Sequence, residues 1–534
     1  MDSALDFSII IAIVLLLATS IYLLYSLSAR PAKAMRDHVE RSNPVEPTIL
    51  DKNLASVLPK DIIFPPDETF KQSMNAYWAQ QECEVVPTCV VRPRTTDQLC
   101  TAVQILKRRF DHQTKDAGRG RAQGLFAVRS GGHSPVPGAA SIQGGVLIDL
   151  CLLSAVTPSE DGSSVVIGAG AKWMDVSKIL DSKGLAVVGG RNSAVGVGGL
   201  TLGGLVCSNI ISYEIVLASG SCVIASESTN SDLWRALKGG SNNFGIVTHF
   251  TARSFPSTDI WSGFLYMPAM QVNKVLRSFH EYVNRVIGGN PNLAYDEHAA
   301  GPLACFSYIH KIGFQAISVN LVHTKPPETG DWPSCWKNSG FASLWRLWST
   351  CKVRTLTSAT DEMNVLNPPG RRQIFANTTV RNDLATLVGA YNAYYNSGVS
   401  LRRYSIKGLL WTIVFQPLLP EWARKGDPNP LGLQDGTDQP LVITSFTVNW
   451  DEGKDDALVK STLRSTIDEI EAVAVANKTA HRYKYLNYCA EWQKPFEGYG
   501  EENWQFLKDV GKRYDPDGLF QRGCTGGFKL DMEP

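Results

Sequence analysis

Two glycine-dense stretches carry the first chemical signal. Val128-Arg129-Ser130-Gly131-Gly132-His133-Ser134 places paired glycines directly after a β-rich run. Without a Cβ in the way, backbone N–H groups there can turn toward a phosphate. Such a loop can hold a pyrophosphate. The second stretch runs from Gly189 to Gly204, GGRNSAVGVGGLTLGG, where close backbone approach recurs over sixteen residues. Counting six from Gly196 ends on Thr201, so the nicotinamide fingerprint G-x-G-x-x-G is absent, and G-x-x-x-x-G-K-[ST] occurs nowhere. Rossmann and P-loop nucleotide sites therefore lose their main support. For proton transfer, Tyr404, Glu421 and Tyr485 all qualify on residue type alone. A phenol with an ordinary pKa of ~10 needs help to deprotonate.

These loops need elements to hold them. Between about 85 and 258, short β-rich runs (VLIDL at 146–150, SVVIGAG at 164–170, LAVVGG at 185–190, GIVTHF at 245–250) alternate with glycine clusters and helical stretches. That alternation predicts an α+β cofactor domain. After Pro256 the glycines thin out, and Val272, Leu276, Phe279, Val283 and Val286 recur at helical spacing, a core-facing stripe. LVITSFTVN at 441–449 and a helix near 458–475 point to a second, sheet-containing domain. Residues 31–80, punctuated by Pro31, Pro44, Pro47, Pro59, Pro65 and Pro66, read as a tether and arm with little structure of their own.

The 534 residues exceed one small module, at ~150 residues per domain. Charge nearly cancels at +1, so no global field draws the chain onto nucleic acid. With 44% hydrophobic and 19% charged residues the chain folds rather than staying disordered. Its eleven cysteines include no C-x-x-C pair, which leaves a zinc site without its usual spacing; no metal is expected. Phe7 to Ala29 is an uncharged run of 23 residues, long enough to cross a bilayer as one helix. It predicts a single-pass membrane protein. Arg30, Lys33 and Arg36 after that run would keep the rest cytosolic, whereas the sequons at Asn377 and Asn477, the marks of a glycoprotein, matter only in the lumen.

PTCVVRPRTTDQL (87–99), RSGGHS (129–134), VGVGGLTLGG (195–204), SDLWRALKGGSNNFGIVTHF (231–250), YLNY (485–488) and RYDPDGLFQRGCTGGFKL (513–530) occur in this order. Together they resemble the berberine-bridge-enzyme-like, FAD-linked oxidoreductases of the vanillyl-alcohol oxidase type, a family common among fungal and plant oxidases. The resemblance implies a two-domain α+β flavoprotein: an N-terminal membrane helix (7–29), a tether and arm (30–84), an FAD-binding domain (85–258), a substrate domain with an antiparallel sheet and helices (259–478), and a C-terminal segment returning to the FAD domain (479–534). It implies FAD joined through a ring nitrogen of His133, and a cofactor bed of Arg129, Ser130, Gly131, Gly132, Ser134, Gly190, Asn192, Gly196, Gly198, Gly199, Gly203 and Asn487. Many relatives carry a second, cysteinyl link where this chain has Asn192, so a single link is expected. Tyr485 and Tyr488 would orient substrate or act as base. The implied activity is hydride removal from a small organic molecule of fungal secondary metabolism, with oxygen as acceptor. Relatives usually continue after Gly204 through an extra turn that this chain lacks. That departure keeps a catalytically impaired flavin binder open as an alternative, and a carbohydrate oxidase is another.

Overall fold

The computed structural model describes residues 48–116, 124–286, 294–434 and 439–531. Three sheets organise it. The first has four strands, ordered Ile62–Ile63, Cys89–Val91, Val146–Asp149, Phe126–Arg129, and the last three run parallel. A parallel sheet must be covered on both faces. Leu99, Val103, Leu106 and Phe110 of the helix Thr96–Asp116 cover one face, together with Val91, Phe126 and Ile148. Phe70, Met74 and Tyr77 cover the other, against Val90, Ala127 and Leu147. The arm, expected to have little structure of its own, is thus folded from Thr48 onward because the sheet needs its second cover. Its helix Ile49–Val57 starts with a capping box between Thr48 and Asp51.

The second sheet is antiparallel, ordered Val156–Pro158, Ser164–Gly168, Ile246–Pro256, Ile210–Val216, Cys222–Ser226, with Leu185–Val187 also paired to Ile246–Pro256. The third has nine antiparallel strands around a central set of Phe314–His323, Ala299–Ile309, Leu410–Leu418 and Leu441–Trp450. Its alternation is sharp. Ala304, Phe306, Trp411, Ile413, Phe415 and Val448 pack in one core with the helices Val272–Val283, Leu384–Ser400 and Asp456–Ala476. The alternate positions Cys305, Ser307, Thr412, Val414, Ser445 and Thr447 line a cavity. After the last strand, Ala480–His481, the chain returns to the first core through Tyr483, Tyr485, Leu507, Phe520 and Leu530.

The expected single-pass membrane location is corrected. Among the described residues no helix is long and apolar enough to cross a membrane, and the run 7–29 lies outside them. The two helices of 21 residues, Thr96–Asp116 and Asp456–Ala476, carry charges along their length. The sequons give no support for a glycoprotein either. Asn377 is fully buried mid-strand, its side chain bonded to the Tyr485 backbone through Oδ1 (2.9 Å) and Nδ2 (3.2 Å). Asn477 is exposed, but its Nδ2 already donates to Thr386 Oγ1 at 3.0 Å.

Candidate active site

The two glycine loops pack directly on each other. Ser130 Oγ donates to Ala169 O (2.6 Å) and accepts from Gly198 N (3.1 Å). A Cβ on Gly131 would stand 2.4 Å from Gly196 Cα, and one on Gly198 would stand 2.9 Å from Ser130 Oγ. Glycine is required here for backbone-on-backbone contact, before any phosphate is considered. Gly132 turns the first loop at φ +64, a conformation glycine adopts without strain. Gly190 lies flat against the Trp173 ring. Asn192 Oδ1 accepts from Ala194 N at 2.9 Å, folding its own turn.

Most of the expected cofactor bed faces one cavity of about 980 Å³: Ser130, Gly131, Gly132, His133, Ser134, Gly190, Asn192, Gly196, Gly198, Gly199 and Asn487 all line it. Two do not. Arg129 ends its strand pointing the other way, into a buried ion pair with Asp149 (2.6 Å) and a bond to Ser73 O (2.7 Å), over the Tyr77 ring. It holds the sheet to the arm. Gly203 makes room for Asn487, whose amide a Cβ would overlap at 2.2 Å. Asn487 Nδ2 then reaches Leu200 O (3.1 Å) and Tyr485 Oη (3.0 Å).

His133 is the group without a protein role. Its Nε2 is buried with no hydrogen-bond partner among the described residues, and its ring stacks on Trp78 at 4.3 Å and 9°. Burial pushes its imidazole down to about 4, so the ring is neutral at physiological pH. A fixed, neutral imidazole with an unpaired nitrogen in a glycine-lined cavity fits the attachment expected of a flavin. Burial pushes the Tyr485 phenol well up, which keeps it protonated. Tyr488 packs edge-on against Tyr485 (4.7 Å) and near Phe375 (5.6 Å), and its hydroxyl accepts from Arg191 Nη2 at 2.9 Å. Both tyrosines line the cavity. Tyr404 and Glu421 lie outside its lining: Tyr404 sits at the surface beside Arg403, and Glu421 pairs with Arg285. Sequence reasoning missed Trp78, Arg191, Gln416 and the hydroxyl-bearing sheet face. Of these, Arg191 had a signal, since it stands between Gly190 and Asn192.

The loop after His133 is held from below. Gln81 Nε2 donates to Pro135 O (2.7 Å), and Glu82 Oε1 accepts from Ala139 N (2.9 Å) while its Oε2 is buried unpaired. Burial pushes the Glu82 carboxyl up to about 8. The folded state therefore binds a proton that the unfolded chain has already released, and this share of stability is full in acid and lost as pH rises toward 8. Glu82→Gln, which mimics the protonated acid, is expected to flatten the fall in melting temperature between pH 5 and 8. The effect should be on the order of a few kcal/mol at the alkaline end. Parallel melting curves for both proteins, with no difference in slope, would refute this.

Asp296, His323 and Cys335 bring their donor atoms within 4.8 Å of one another outside the cavity. The carboxylate there already accepts from His298 N (2.9 Å) and makes a 3.1 Å contact with His323 Nε2.

A family model described as FAD binding domain matches residues 87–226. An FAD-dependent monooxygenase of Cochliobolus heterostrophus is 33% identical over 483 residues, which is 85% of this chain and 87% of that protein. Among solved structures, 6-hydroxy-D-nicotine oxidase from Arthrobacter nicotinovorans superposes with a TM-score of 0.66 at 20% identity, covering 87% of this chain and 97% of that one. A berberine bridge enzyme superposes at 0.68 with 13% identity, covering 90% and 100%. At such identities the structural likeness speaks to the fold alone.

Proposed function

Because the chain belongs to the berberine-bridge-enzyme-like FAD-linked oxidoreductases of the vanillyl-alcohol oxidase type, we propose that it oxidises a small organic molecule of fungal secondary metabolism, with oxygen as the final acceptor. The observation that carries the reading is the unpaired His133 Nε2 on the wall of the cavity where the two glycine loops meet. FAD bound there, singly linked through His133, would supply a two-electron acceptor for hydride leaving the substrate carbon. Two large cores support the proposed domain division: one joins the glycine loops to the returning C-terminal segment, with Leu418, Leu431, Leu433, Leu441 and Ile443 packed into it, and the other lies under the nine-stranded sheet and its helices.

The protein's own groups do the rest. Ser130, Gly131 and Gly196 line the cavity with backbone that would cradle the cofactor, while the Gly198 amide is held by Ser130 Oγ. Trp78 holds the His133 ring at a fixed angle. Tyr485, kept protonated by burial and bonded to Asn487, can donate but does not serve as a base at neutral pH. That leaves Tyr488, which lines the cavity and is held by Arg191, to orient the substrate. The short junction after Gly204 is walled by a distant segment: Leu431 lies where a Cβ on Gly204 or Gly239 would go, and Asp427 ties that segment to Lys238 (2.9 Å) and Arg253 (2.7 Å). This favours a working enzyme over an impaired binder. The Ser307, Thr412, Ser445 and Thr447 face is the one observation that favours a carbohydrate substrate instead.

Anaerobic mixing of the yellow protein with a panel of alcohols, phenols, organic acids and oligosaccharides tests the reading. Bleaching of the visible flavin band by a non-sugar compound, and its return on admitting air, is expected. Bleaching by oligosaccharides alone would select the carbohydrate oxidase, and none across the panel would select the impaired binder.

A further inference from the structure

The charge of the cavity is one-sided. Among the described residues that line it there is no Asp or Glu, and the permanently charged side chains are Arg191 and Lys425. Lys425 looks outward, to Glu297 at 3.8 Å and the Tyr295 ring at 5.7 Å. Arg191 makes no ion pair with a carboxylate of a described residue. A single nitrogen, Nη2, donates to both Gln416 Oε1 and Tyr488 Oη, each at 2.9 Å. Gln416 belongs to the strand Leu410–Leu418 and Tyr488 to the turn Leu486–Tyr488, so two separate elements fix the guanidinium from one edge. Its Nε and Nη1 keep no described partner.

That arrangement has a chemical reading. A guanidinium presents its donors as a rigid fork that matches two oxygens of one anion, and it stays charged at every relevant pH. A cation without a counter-charge on a cavity wall attracts an anionic ligand and repels a cationic one, and Arg191, though exposed to solvent, has no carboxylate of a described residue to cancel it. Gln416 and Tyr488 are neutral, so they orient Arg191 without cancelling it. Gln416 shares its strand face with Thr412 and Val414, both of which line the cavity, so Arg191 is held at the side of the nine-stranded sheet. The sheet face beside it offers uncharged hydroxyls at Ser307, Thr412 and Ser445.

We infer that Arg191 anchors an oxyanion of the substrate, so that the substrate is an organic acid, a carboxylate or an acidic enol, and not an amine. This rests on the cavity being the flavin and substrate site. Arg191 is a specificity residue, and the oxidised carbon lies elsewhere on the molecule.

Titration calorimetry on the holoprotein tests it with benzoate, benzyl alcohol and benzylamine, which share a ring and differ in charge. The enol arm uses 4-hydroxycoumarin as its anion. At least one of the two anions is expected to bind tenfold or more tighter than the alcohol and the amine, and the tighter anion assigns the kind of oxyanion. Arg191→Met should erase that preference while flavin content and melting temperature hold. Arg191→Lys keeps the charge without the fork and should retain part of the preference even if the methionine variant folds poorly. Tighter benzylamine, equal binding of all probes, no binding of either anion, or a preference that survives in Arg191→Met overturns the assignment. Colourless protein that still prefers the anion through Arg191 would count against the flavin reading and for this one.

Discussion

Acid-denatured wild-type protein is expected to keep its yellow colour in the washed pellet, and His133→Ala to release it into the supernatant. The expectation follows from the orphaned Nε2 and from the neutral state that burial imposes on the ring. Among the described residues no partner competes for that nitrogen. The alanine variant still has both glycine loops, so it should take up FAD reversibly, and its cofactor should be a weaker oxidant because the electron-withdrawing bond is gone. Reduction by a competent substrate should slow by at least about tenfold, a barrier change of ~1.4 kcal/mol. Wild-type colour that washes out, or colour retained in the variant, would remove His133 as the attachment point.

Gly131→Ala is expected to cost more than its size suggests. The added methyl would meet Gly196 Cα at 2.4 Å and Gly196 N at 2.5 Å, and both are backbone atoms of the other loop. Neither loop can yield without breaking the Ser130 bonds to Ala169 and Gly198. Overpacking typically costs about 1–3 kcal/mol, and a backbone-on-backbone clash sits at the upper end of that range, with the damage falling on the cofactor bed. A melting temperature lowered by several degrees and a flavin-to-protein ratio well below one are the expected readings. Gly199→Ala is the control for melting temperature alone, since a Cβ there meets no protein atom within 4 Å and the residue sits in the helix Val197–Leu202, although it also lines the cavity. A Gly131→Ala protein that melts and loads like the wild type would show that the loops are not in contact.

Local order was legible where one face of an element is apolar. The stripe from Val272 became the helix Val272–Val283, and the run at 441–449 became the strand Leu441–Trp450. The glycine loops were legible because few residues tolerate such close approach. Arg129 entered the expected bed by adjacency, but it ends its strand outside the cavity lining, held by Asp149 and Ser73, which are distant in sequence. Arg191 was passed over for a related reason, since its partners Gln416 and Tyr488 lie 225 and 297 residues away. Trp78 precedes every motif and has no local pattern that ties it to His133. The uncharged run at 7–29 has the length of a membrane span, yet no described helix bears out a membrane location.

Thr525 N donates to Phe126 O at 2.8 Å, closing the first sheet's edge across 399 residues. A ribosome making this chain therefore releases the first half of the nucleotide fold long before its last piece exists. The nine-stranded sheet, whose pairings all lie between Ile260 and His481, can form in the interval, while the strands around Phe126 wait with an open edge. Contacts of such long range are slow to form and leave intermediates prone to aggregate. Expression of this protein should for that reason respond more to chaperones and to growth temperature than its ordinary composition suggests.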